Sequence, residues 1–189
     1  MNDTWKFEYA YSFTSKEELN RRQEKLRRPF CGLSQQILDA SYSTSLYDEL
    51  GLSKPFDGIM NLPEADCRAL VKYWYWDKPN LEVFPQKTGA LLFDMCVTHG
   101  VKTAFTLAQR GFNKCLGIYG AKLRVDGVLS YAMTTALGNE TNRTLSIMLM
   151  ERLRFLRDVM GEDRPRYRLW AFRCIRLKDY LGVPDEPKH

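Results

Sequence analysis

Histidine is almost missing from this chain: of 189 residues only His99 and His189 carry an imidazole. The five cysteines, at 31, 67, 96, 115 and 174, form no CxxC pair. A zinc site needs several such ligands at short spacings, so a zinc hydrolase is excluded, and no metal or other cofactor is expected. Odd, scattered cysteines read as reduced, mostly buried thiols of a protein made in a cytoplasm. Serine and cysteine nucleophiles drop out for want of a partner histidine pattern. Long apolar runs are missing too. Thr88–Val97 and Ser146–Met150 fall well short of the ~20 residues that cross a bilayer. The start, Met1–Glu8, has no basic residues leading into an apolar stretch, so no Sec-type signal peptide is expected. Strand patterning is scarce, with only Leu81–Phe84 and Lys122–Val125 as candidates.

What is present is an ordinary globular balance: 44% hydrophobic, 27% charged and 13% aromatic residues. A chain of this length buries roughly 70% of its unfolded surface, enough for a real core. The net charge of +5 is uneven. Glu151–Lys178 holds nine Lys/Arg against four Asp/Glu, and Lys16–Arg28 holds six against three. Clustered positive charge suggests an anionic partner: nucleic acid, an anionic membrane face, or cell wall with its peptide carboxylates. No RNA-recognition, zinc-finger or basic-zipper pattern accompanies it, so nucleic acid is not the expected partner.

Helical spacing dominates. Lys16–Leu26 reads as a polar helix or ordered loop, and Leu33–Tyr42 as a short helix capped by Ser34. Asn61-Leu-Pro-Glu64 starts a helix that ends before Pro79. Gly89–Thr98 is apolar nearly all round, which predicts a central buried helix stopped by Gly100. Thr103–Phe112 is amphipathic, Val125-Asp-Gly-Val128 is a turn, and Ser130–Leu137 is a capped short helix. Leu145, Met148, Leu149, Arg152, Phe155, Leu156 and Val159 mark a long helix with arginine on its outer flank, closed by Gly161 and Pro165. Trp170–Tyr180 is a last, basic helix. The fold class is mainly α.

Three stretches resemble glycoside hydrolase family 108, the lysozyme-like N-acetylmuramidases of phages and secretion systems. Asn61–Asp77 ends in Tyr75-Trp76-Asp77, similar to the family's Tyr-Trp-Asp signature. Leu91-Leu-Phe-Asp-Met-Cys-Val-Thr-His-Gly100 looks like its apolar helix ending in Asn-His-Gly, with Thr98 in place of the asparagine. Val125-Asp-Gly-Val128 with Thr134-Thr-Ala-Leu137 is similar to a stretch of the family's peptidoglycan-binding half. Over residues 61–185 the motifs keep the family's order. Upstream, Phe30-Cys-Gly-Leu-Ser34 is similar to its Tyr-Gly-Ile-Thr turn, and Phe7-Glu8-Tyr-Ala-Tyr11 sits where its catalytic Glu-Gly-Gly-Tyr belongs. Tyr9-Ala10 replaces the two glycines, and the charged Ser15–Arg28 replaces an Asp-Pro-Gly-Gly loop.

The resemblance implies a lysozyme-like helical fold with a catalytic half at 1–85 and a peptidoglycan-binding half at 86–189, packed as one unit. It implies cleavage of the wall's β-1,4 glycosidic bond with Glu8 as general acid. Such an acid must stay protonated near neutral pH, which apolar walls favour, and Trp5, Phe7, Tyr9 and Tyr11 are its sequence neighbours. A second carboxylate would assist. Glu17, nine residues on, is the first choice, with Glu18 and Glu24 also available. Tyr11, Trp76, Asp94 and His99 are the expected substrate contacts, and Asp94, inside an apolar helix, is also expected to be buried with a hydrogen-bonded partner and to hold the cleft's two walls together. The expected partner is bacterial peptidoglycan, reached from the cytoplasm through a holin, a secretion apparatus or incorporation in a virion. The alternatives are a catalytically inactive wall-binding or structural protein of the same fold, or a basic nucleic-acid-binding protein.

Overall fold

A computed structural model describes residues 4–22, 32–42, 45–52, 62–116, 120–161 and 164–185. The helices are α1 (Thr4–Arg22), α2 (Gln35–Tyr42), α3 (Leu46–Glu49), α4 (Glu64–Lys72), α5 (Gln86–His99), α6 (Val101–Leu116), α7 (Tyr131–Gly138), α8 (Asn142–Met160) and α9 (Pro165–Tyr180). The mainly α expectation holds, and no strand occurs among the described residues. Cys31, Asn61 and His189 lie outside those residues, as do 23–31 with Glu24 and the rest of the charged stretch beyond α1.

The axis of the fold is α5. Every residue from Thr88 to Val97 is buried, as an all-round apolar sequence requires. α1 and α6 pack on it, α8 packs on α6, and α9 lies against α8 and the far side of α1. One contiguous core runs from Phe7 on α1 to Val183 beyond α9. The start of α5 has no capping side chain of its own. Glu140, on the connection between α7 and α8, supplies one: its Oε2 accepts from Thr88 N at 2.6 Å and Thr88 Oγ1 at 2.8 Å. A carboxylate there satisfies a free backbone N–H and opposes the helix dipole.

Neither expected strand forms. Leu81–Val83 is a single 3-10 turn, entered through Asn80 in the left-handed region and burying Leu81 and Phe84. Lys122–Val125 finds no second strand. Asn113 of α6 takes that place: its Oδ1 accepts from Leu123 N (2.7 Å) and its Nδ2 donates to Leu123 O (2.8 Å). A single amide thus gives one residue both bonds a neighbouring strand would have given. The following Asp126-Gly127 turn is held the same way by buried Gln109. Its Oε1 accepts from the N–H groups of Asp126 and Gly127, and its Nε2 donates to Asp126 Oδ1 and Val128 O, all at 2.9–3.0 Å.

The helix expected to start at Asn61-Leu-Pro-Glu64 and end before Pro79 is found from Glu64 but changes pitch. After Lys72 the chain widens into a π turn over Tyr73–Asp77. That turn buries Tyr75 and Trp76 together. Tyr75 Oη donates to Gly32 O at 2.9 Å. Gly32 has φ +72°, and a Cβ there would meet Val97 O at 2.2 Å, so only glycine fits between this turn and the end of α5. Ser34 caps α2 as expected, accepting from Ile37 N at 3.3 Å.

Candidate active site

Both candidate carboxylates sit on α1, and helix geometry separates them. Nine residues make about two and a half turns, so Glu8 and Glu17 project from opposite sides, about 13.5 Å apart along the axis. Their partners agree: Glu8 pairs with Arg68 of α4, and Glu17 with Arg176 of α9. Carboxylates that share one glycosidic bond stand about 5 to 9.5 Å apart. The expectation that these two form the acid pair is therefore corrected; at most one of them faces a given substrate.

The Glu8 side is open. Glu8 and Arg68 side chains are 44% and 42% exposed. The Arg68 guanidinium lies 5.0 Å from the centre of the buried Tyr11 ring and 5.7 Å from that of Phe7. Lys72, one turn after Arg68, lies 5.7 Å from the centre of the Phe7 ring and donates to Asp77 Oδ1 and Oδ2 at 2.6 and 2.8 Å.

On the Glu17 side the carboxylate is buried, although the Arg176 that holds it is half-exposed. Arg176 grips Glu17 with two parallel bonds, Nε to Oε1 at 2.8 Å and Nη2 to Oε2 at 2.5 Å. Beside it Arg173 Nη1 donates to Glu18 at 2.5 Å, and the same guanidinium reaches Asp94 through Nη2 at 2.6 Å and Nε at 3.2 Å. Arg152 of α8 comes from the other side, its Nη1 2.8 Å from Asp94 Oδ2 at an angle that makes an ion contact rather than a hydrogen bond. Thr14 Oγ1 adds a hydrogen bond to Asp94 at 3.0 Å. Arg152 also donates to His99 Nε2 and Thr98 Oγ1, both at 3.1 Å. Asp94, Arg152 and Arg173 are all fully buried. Burial alone would raise the Asp94 carboxyl's pKa, but the charges of Arg173 and then Arg152, with the Arg173 hydrogen bonds, outweigh it and hold the group far below the usual carboxylate range. Burial opposes the Arg173 charge and Asp94 more than restores it, so that guanidinium's pKa is raised.

These placements revise the expected substrate contacts. Asp94 is a saturated structural anion with no surface for a sugar. Trp76 is buried under Phe7 and Phe93, its indole N–H spent on Glu82 Oε2 at 3.0 Å. His99 accepts from Arg152 between the rings of Phe155 and Trp170, at 5.3 and 5.7 Å. Only Tyr11 borders the same open surface as Glu8. Arg152, expected on an outer flank, is central instead. Its signal was its position, four residues after Met148 and three before Phe155 on the apolar stripe. Arg173, between Trp170 and Leu177, shares that pattern on α9. Among the described residues no group of three or more His, Cys, Asp or Glu side chains could hold a metal ion.

Comparison with known proteins adds to this geometry. Residues 28–100 match the model of the Glycosyl hydrolase 108 family. The resemblance read from the sequence is thus found over the Gly32 turn, α4 with its wide turn, and α5. The Glycosyl hydrolase 108 match starts beyond Glu8 and Glu17 and stops short of the Val125–Leu137 motif. The solved structure of Brucella abortus SagA is similar, with a TM-score of 0.63 and 17% identity over 84% of this chain and 82% of that one. At that identity the likeness is one of fold. No curated protein matches. The fold is mainly α and lysozyme-like.

Proposed function

We propose that this chain is a peptidoglycan hydrolase, an N-acetylmuramidase that cleaves the β-1,4 bond of the cell wall with Glu8 as general acid. The observation that carries the reading is the glycosyl hydrolase match over residues 28–100 on a helical scaffold that also holds Glu8. Of the two carboxylates, Glu8 is the one a substrate can reach, beside Tyr11 and Phe7; Glu17 is buried and gripped on both oxygens. Cleavage requires Arg68 to yield to the sugar, so that the carboxyl can meet the leaving oxygen with a proton. Residues 1–85 supply this chemistry and 86–189 the wall-binding half, both resting on one core. Peptidoglycan is the substrate, and a holin, a secretion apparatus or a virion brings the protein to it. No helix among the described residues is long and apolar enough to cross a membrane.

The ion pairing of both candidate acids favours a second reading, a wall-binding protein of the same fold without hydrolysis. Release of reducing sugar from purified Gram-negative peptidoglycan decides, with wild type, Glu8→Gln and Glu17→Gln compared and circular dichroism confirming that all are folded. Loss of release in Glu8→Gln alone supports the proposal. Loss in Glu17→Gln alone moves the acid to the α9 side. No release by wild type, with retention on the same sacculi, gives the binding protein.

A further inference from the structure

The outer side of α9 carries more apolar surface than packing uses. Phe172, Leu169 and Ile175 are 56%, 50% and 49% exposed. They recur every three residues and so line one flank of the helix. Across from Ile175, exposed Met150 continues the apolar surface on α8, and a pocket of about 250 Å³ opens between the two helices, lined by Leu149, Met150, Leu153, Cys174, Ile175 and Pro184. The charge around this flank is mostly positive, with exposed Asp179 as the exception. Pro165–Tyr180 holds four arginines and a lysine against one aspartate. Arg164, Arg166 and Arg168, at its N-terminal end, are exposed. Arg173 and Arg176, by contrast, are spent on Asp94, Glu18 and Glu17.

We propose that this flank of α9 docks on an anionic lipid bilayer, with Leu169, Phe172 and Ile175 at the acyl boundary and Arg164, Arg166 and Arg168 on lipid phosphates. The combination selects the partner. The aliphatic Leu169 and Ile175 gain by leaving water only for an apolar medium, which a nucleic-acid backbone does not offer and a glycan strand offers only as ring faces suited to aromatic stacking. A second copy of this face would set arginine against arginine. A helix with large apolar side chains beside a basic run lies in the interface plane of such a membrane, and the lipid charge draws it there. The docking is independent of hydrolysis and is peripheral.

The test is co-sedimentation of the full chain with phosphatidylcholine vesicles and with vesicles that also contain phosphatidylglycerol. The protein pellets with the second kind only. The triple variant Leu169→Ser, Phe172→Ser, Ile175→Ser loses binding by about tenfold or more. The triple variant Arg164→Gln, Arg166→Gln, Arg168→Gln loses it as well, and decides alone if circular dichroism finds the apolar variant unfolded. Absence of binding to the anionic vesicles overturns the proposal, as does binding that survives the arginine replacements. So does loss of retention on purified peptidoglycan or on double-stranded DNA in these variants while vesicle binding is kept.

Discussion

Glu8 and Glu18 belong to one helix and each holds an arginine, yet Arg68 stands open to water while Arg173 shows none of its surface. On the open face, water screens the pair and competes for both partners, so the pair adds little to stability. On the closed face Asp94, Arg152 and Arg173 have no such alternative. Asp94 must be met by two guanidiniums and a hydroxyl or it could not be buried, and once met it ties α1, α5, α8 and α9 together. The lesson is a division of labour along α1. Charge on the α4 side is free for chemistry because the fold does not depend on it; charge on the α9 side is committed to the fold.

Breaking the closed face has the largest expected effect. Asp94→Asn leaves Arg152 buried without its anion and Arg173 with Glu18 alone, and costs about 3–5 kcal/mol in urea unfolding. Its pH signature follows in sign. The folded carboxyl titrates below the unfolded one, so its contribution is complete above about pH 4 and is lost as pH falls from there toward the folded value. Urea midpoints should therefore fall less steeply with acid in Asp94→Asn than in wild type; equal slopes would sink the assignment. Next comes Gln109→Ala, the neutral counterpart of Asp94, which strips the Asp126-Gly127 turn of four hydrogen bonds and costs about 2–3 kcal/mol, read as a drop in thermal midpoint. Glu140→Gln weakens the borrowed cap of α5 by about 1 kcal/mol, measurable in the same assay. Last, Glu8→Gln changes stability by less than about 1 kcal/mol. A larger loss there would erase the contrast between the two faces.

How far the residues alone announced this structure depends on the range of the interaction. Helix limits set by local chemistry could be read directly: α5 and α8 end at Gly100 and Gly161, and Ser130 accepts from Met133 N at the start of α7. The strands at Leu81–Phe84 and Lys122–Val125 failed because a strand is defined by a partner, and the partners here are a turn and one asparagine side chain. The candidate site is legible only in part: motif likeness marks Glu8 and Asp94 as candidates, but periodicity assigns arginine to water by default and so does not by itself mark Arg152 and Arg173. Their position on apolar stripes marked them as buried, and a buried arginine calls for an anion nearby. Arg68 carried no such mark, since its partner lies 60 residues away on another helix.

The clasp between α1 and α9 also bears on the order in which the molecule can be made. Tyr9 and Tyr180 exchange hydrogen bonds, each hydroxyl donating to the other's backbone carbonyl across 171 residues, with their rings stacked 4.7 Å apart. Arg173 reaches back 79 residues to Asp94 and 155 to Glu18. Contacts of such long range form late and slow the search for the native state. During synthesis, α1 through α8 can gather around α5, but Asp94 then has one arginine instead of two, and Glu17 and Glu18 have lost theirs. Completion must await α9, and a protease that removed α9 from the finished protein would return it to that incomplete state.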